Sequence, residues 1–91
     1  MLYHFGGAEE LNKLKVDFIR IDLDVALTFV QIARQTNKRA KAMRNQQNAR
    51  KAYDAVSYYL GTASLSRFEH ENIMRKLAIL KSALLSMGEL F

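Results

Sequence analysis

The chain has 91 residues, 49% of them hydrophobic, and its fourteen basic and nine acidic side chains give a formal charge of +5. The absence of Cys excludes a disulfide framework, a thiolate metal site and a cysteine nucleophile. With no Pro, four Gly and abundant Ala, Leu, Lys and Arg, the composition points to a few long helices. They form one small domain, in which a deep catalytic pocket is hard to carve.

The start, Met1-Leu2-Tyr3-His4-Phe5, lacks the basic n-region and long apolar core of a signal peptide. No apolar run approaches the ~18–20 residues of a membrane span. The expectation is a cytoplasmic protein whose residues 1–7 form an apolar arm ending at Gly6-Gly7. From Ala8 to about Arg44 there is neither Gly nor Pro. Over that stretch Leu11, Leu14, Phe18, Ile21, Val25, Phe29, Ile32, Thr36, Ala40 and Met43 fall along one line at ~100° per residue. This predicts a first helix over residues 8–44, with Glu9 and Glu10 in its first turn and Arg39, Lys41 and Arg44 in its last turns, where the helix dipole favours them. The competing reading breaks it near 16–22, where the apolar pattern partly alternates and Asp22 or Asp24 is a candidate N-cap.

A turn near Arg44–Gln47 leads to a second helix over 46–60, with Ala49, Tyr53, Val56 and Leu60 as its buried stripe. Arg50 and Asp54 form an exposed i,i+4 pair on it, and Gly61 stands where a left-handed C-terminal residue is expected. Thr62–Leu65 is a loop. Ser66-Arg67-Phe68-Glu69 reads as a capping box for a third helix over 66–87, striped by Ile73, Leu77, Leu80, Leu84 and Met87. Gly88 stops it and leaves an apolar tail, 88–91.

The helix faces carry more information than any motif. Val16, Ile19, Leu23, Ala26, Leu27 and Val30 form a second stripe on the first helix, opposite the main one. A helix that is apolar on two sides has to be covered on two sides. This predicts a homodimer with Val16, Ile19, Leu23, Leu27 and Val30, joined by Ile79 of the third helix, at the subunit interface. Phe29 and Leu80 are further candidates for helix or subunit contacts. Seven basic residues and no acidic one lie between Val25 and Tyr53, so this segment holds +7 and the remainder −2. Arg34, Lys38 and Lys41, with Arg44 close by, form a basic patch. The rival reading is therefore a small basic nucleic-acid-binding protein.

Catalysis finds little support. His70-Glu71 begins like H-E-x-x-H, but Met74 stands where the second histidine belongs, so a packed or rim histidine is the expectation. His4 has no sequence-near partner. Glu69 and Glu71 cannot face the same way on a helix. No catalytic residue, metal site or cofactor is assigned.

The stretch NARKAYDAVSYYL sets Ala49, Tyr53 and Val56 at the spacing of the second helix of a tetratricopeptide repeat, and residues 27–60 resemble one such helical hairpin. The chain departs from that family in lacking its Trp and Leu-Gly pair, in carrying Asn37 where a small residue belongs, and in having no closing Pro. It is also similar to short bacterial helical proteins of unassigned function. The resemblance implies helical-repeat packing and protein interaction. The expected fold is all-α, with a long first helix, a tetratricopeptide-like hairpin, and a third helix packed as the start of an incomplete repeat. A single repeat cannot bury its own faces, which again favours a self-associating scaffold.

Overall fold

The computed structural model describes residues 7–91. The expected N-terminal arm, with Leu2, Tyr3, His4 and Phe5, lies outside the described residues. Three helices follow in order: α1 Gly7–Gln35, α2 Arg39–Leu60 and α3 Arg67–Ser86. The described residues contain no strand.

α1 runs unbroken through 16–22 but ends eight or nine residues before the expected Arg44. The cause is local. Thr36 Oγ1 accepts the backbone N–H of Lys38 at 3.2 Å, a side-chain turn that competes with the helical hydrogen bond. Lys38 is then extended (φ −93°, ψ 115°), and α2 starts at Arg39. The segment Arg44–Gln47, expected as the turn, lies inside α2, and Ala40 and Met43 belong to α2 as well. At the far end of α2, Gly61 is right-handed (φ −68°, ψ −15°), not left-handed. The helix closes by tight bonds from the Gly61 and Thr62 N–H groups to the carbonyls of Tyr58 and Tyr59. α3 begins as its sequence predicts. Ser66 Oγ accepts the Glu69 N–H at 3.1 Å, and the Glu69 carboxylate accepts the Ser66 N–H at 2.9 Å. Left-handed Gly88 (φ 98°) follows its end.

The three-residue connection makes α1 and α2 an antiparallel hairpin, with Phe18 meeting Tyr59 edge-on at 5.0 Å. α3 runs parallel to α1 at a constant offset. Asn12 grips Ser64 through both backbone groups (Nδ2 to O 2.9 Å, N–H to Oδ1 2.6 Å). Lys76 meets Asp24 at 2.9 Å, and Arg34 meets Ser86 at 3.4 Å. All three pairs are 52 residues apart.

The core takes Ile19, Leu23, Ala26 and Val30 from α1, with Val16 buried at its edge. Ala49, Ala52 and Val56 come from α2, and Ile73, Leu77, Leu80, Ala83 and Leu84 from α3. The α1 faces are therefore exchanged relative to the sequence expectation. Val16, Ile19, Leu23 and Val30, expected at a subunit interface, are buried inside the chain itself. Leu11, Leu14, Ile21 and Val25 of the main stripe face outward, and Phe18 of that stripe lies at the edge, 41% exposed against Tyr59. The reason lies in α2, whose buried residues are two alanines and a valine. Small side chains such as these, with Ala26 buried on α1, let helix axes approach closely, whereas a face of Phe, Leu and Ile would hold them apart. The domain measures 56 × 27 × 18 Å, about two helices thick, and among the described residues no layer covers the second face of α1.

Truncation separates the two faces. Leu23→Ala is expected to cost about 2–5 kcal/mol of unfolding free energy, and Leu14→Ala less than about 0.5 kcal/mol, in urea titrations at micromolar protein. Equal costs would mean that α1 packs through its other side.

Candidate interaction surfaces

The outward face of α1 carries Leu11, Leu14, Phe18, Ile21 and Val25, at alternating intervals of three and four residues. Leu14 is 62% and Ile21 64% exposed. This is the spacing of a coiled-coil seam. Its exposed area is on the order of 500 Å², comparable to the largest apolar patch of an ordinary monomer, which is often functional. Glu10, Asp17 and Asp24 flank it on one side, and Lys15 and Asp22 on the other. Asp22 is partly buried at the edge of the core face, and loss of water there pushes its carboxyl pKa above the ordinary 3.8.

Two of the six expected interface residues do come together. Leu27 and Ile79 line a groove of about 310 Å³ between α1 and α3, floored by Val30 and Ala83 and rimmed by Thr28, Gln31 and Arg34. Val16, Ile19 and Leu23 have no surface to offer, and Val30 shows only at the floor of this groove.

The basic patch is rearranged rather than lost. Arg34 lies in the last turn of α1, Lys38 in the connection, and Lys41 and Arg44 on α2, so they do not share one helical face. They gather instead around the hairpin tip. Among the described residues none of these four joins an ion pair. The first turn of α2 also carries no acid, so Arg39 and Lys41 sit at the positive end of that helix, not at the favourable end expected from sequence.

His70 is exposed at the rim of a cleft of about 680 Å³, with Leu60, Leu65, Arg67 and Met74 around it. Among the described residues no three His, Asp or Glu side chains cluster to hold a metal ion. No described helix is long and apolar enough to cross a membrane. His4 lies outside the described residues.

One constellation has no counterpart in the sequence expectations beyond the Arg50–Asp54 pair, which forms at 3.0 Å. The guanidinium of Arg50 also reaches the Glu89 carboxylate at 3.3 Å, donates to the Leu90 carbonyl and lies 4.1 Å from the centre of the Phe91 ring. Gln46 donates to Glu89 Oε2 at 2.7 Å, and Tyr53 meets Phe91 edge-on at 4.8 Å. Pairing at a separation of 39 residues leaves no periodic trace. The one sequence-level signal is the acid followed by an aromatic ring in the tail.

The raised Asp22 carboxyl sets the sign of a pH effect. The folded chain holds this proton more tightly than the unfolded chain, so ionised Asp22 opposes folding at neutral pH. Asp22→Asn is expected to raise the melting temperature at pH 7. That advantage should fade as the pH falls through the raised pKa and vanish below the ordinary 3.8. A gain that grows on acidification would contradict the desolvation cause.

Comparison with protein-family models, with curated proteins and with solved structures finds no match to this chain.

Proposed function

We propose that this chain is a non-catalytic helical protein-interaction module that self-associates as a homodimer through the outward stripe of α1. The observation that carries this reading is the exposure of Leu11, Leu14, Phe18, Ile21 and Val25 in seam spacing, on a helix whose other face is already filled. An isologous pair presents the same patch twice. Two such faces hide about 1,000 Å², the lower bound for a specific interface. The seam replaces the residues expected from sequence, because Val16, Ile19, Leu23 and Val30 are occupied within the chain.

The same reading takes α1 and α2 as a tetratricopeptide-like hairpin and α3 as the first helix of an incomplete repeat. The parallel α1–α3 pair supports it. The offset of 52 residues, where that repeat uses about 34, makes this a lengthened unit. The turn also falls at 36–38, within the segment expected as the hairpin's first helix. A groove of mixed character between α1 and α3, lined by Leu27, Arg34 and Ile79, suits a further protein partner.

A second reading, binding of a nucleic-acid backbone at the hairpin tip, is favoured by the lack of any ion pair, among the described residues, at Arg34, Lys38, Lys41 and Arg44.

Light scattering at graded concentration tests the first reading. The expected mass is twice 10.5 kDa. It should return to the single-chain value in Leu14→Glu/Ile21→Glu, with helical circular dichroism unchanged because both side chains are exposed. Added salt is expected to strengthen association, since each copy carries +5 and two like-charged copies repel. A single-chain mass at several hundred micromolar, with full helicity, would sink the dimer. A gel shift distinguishes the second reading: duplex binding should weaken steeply with salt and be lost in Lys38→Glu/Lys41→Glu. Absence of any shift at low salt would reject it.

A further inference from the structure

We propose that the face of α2 centred on Arg50, completed by Lys81 of α3, is a binding site for a short peptide bearing a carboxylate and, two residues later, an aromatic ring. The segment Glu89–Phe91 is its resident occupant. The proposal goes beyond the self-association reading and uses none of its residues.

The segment is held as a ligand is held. It has no regular secondary structure, and its hold on α2 consists of side-chain contacts and one carbonyl. The carboxylate of Glu89 is shared between Gln46 at 2.7 Å and Arg50 at 3.3 Å, and only 21% of its side chain remains exposed. Phe91 places its ring among two cations and an aromatic edge. Arg50 is 4.1 Å from its centre, Lys81 5.3 Å, and Tyr53 4.8 Å at 70°. A cation over a ring face and an edge-on aromatic are both attractive arrangements. Between these anchors Leu90 is 85% exposed, so the middle position sets no requirement. Recognition therefore reads acid, any residue, aromatic.

The receptor half stands without the occupant. Arg50 is steered by Asp54, one turn along its own helix, at 3.0 Å. Gln46, Arg50 and Tyr53 are spaced four and three residues apart on α2, so they share one face. The occupant is tied to α3 by one further bond, from the Glu89 N–H to the Leu84 carbonyl at 3.0 Å. The bonds from the Met87 and Gly88 N–H groups to the carbonyls of Leu84 and Leu85 close that helix, and left-handed Gly88 then turns the chain toward α2. Rotation at Gly88 exchanges that single Glu89–Leu84 bond for water and leaves the other closing bonds of α3 in place, since glycine carries no side chain to forbid other backbone angles. While docked, the segment competes with outside peptides at the high effective concentration of a short tether.

The test uses full-length protein and a fluorescent hexapeptide with the sequence of residues 86–91, read by anisotropy. The variant Glu89→Gln/Phe91→Ala, which vacates the site, is expected to bind this peptide at least tenfold more tightly than the parent chain. Adding Arg50→Met should remove at least tenfold of that affinity, as should replacing either the acid or the aromatic residue of the peptide with alanine. Equal binding by parent and vacated chains, or binding indifferent to Arg50→Met, overturns the proposal. Should the vacated variant lose its helical circular dichroism, the parent chain decides by amide NMR. Millimolar peptide should shift Gln46, Arg50 and Tyr53, and an unchanged spectrum overturns the proposal. Leu14→Glu/Ile21→Glu is expected to leave peptide binding intact, which keeps failure here distinct from failure of the dimer.

Discussion

How closely α2 can lie against α1 governs most of what this domain exposes. The buried side of the hairpin carries small side chains, Ala26 on α1 and Ala49 and Ala52 on α2, with Val56 as the largest buried residue of α2. Small side chains shorten the distance between helix axes, and that distance fixes which face of α1 turns inward. Once Ile19, Leu23 and Val30 are committed to the core, a row of bulky apolar side chains has to point away from it. The outward stripe is the geometric remainder of a tight hairpin, and its seam spacing is what the proposed self-association rests on.

The polar contacts follow the same frame. With α1 and α2 fixed, α3 is located by one register, read three times along its length at Asn12, Asp24 and Arg34. Asn12 matters most among these because it satisfies both backbone groups of Ser64 and so pins the loop that starts α3. The ion pair of Asp24 with Lys76 is well exposed, and such pairs add little stability. Its value is in register rather than in strength.

Much of α3 was legible from sequence because its signals are local. The Ser66–Glu69 capping box spans four residues, and the stripe of Ile73, Leu77, Leu80 and Leu84 outweighs the scattered apolar residues Phe68 and Ile79 elsewhere on that helix. On α2, Ala49 and Val56 are buried as expected, with Tyr53 and Leu60 packed on the core. α1 was misread because two stripes satisfy the same period. Choosing the longer one carried the line across Thr36–Lys38 into another helix. That turn is invisible to a search for Gly or Pro, since it is made by the Thr36 hydroxyl. The sites depend on partners remote in sequence. Leu27 meets Ile79 only after α3 docks, and Arg50 meets Glu89 only after Gly88 turns the chain.

The parallel course of α1 and α3 gives the molecule an electrical polarity. Two helices end at the hairpin tip with their carbonyl groups and only one begins there, so two negative dipole ends meet one positive end. The opposite end has the reverse balance. The basic tip is the marked one: Arg34, Lys38, Arg39 and Lys41 gather there, whereas at the other end Glu9, Glu10, Glu69 and Glu71 are interleaved with Lys13, Lys15 and Arg67. The domain is thus a short rod with one strongly basic pole and one of mixed charge. For the proposed pair joined along α1, parallel alignment would set two basic tips side by side, where like charges repel. Antiparallel alignment would carry them to opposite ends of the pair, so the charge at the tip favours that arrangement.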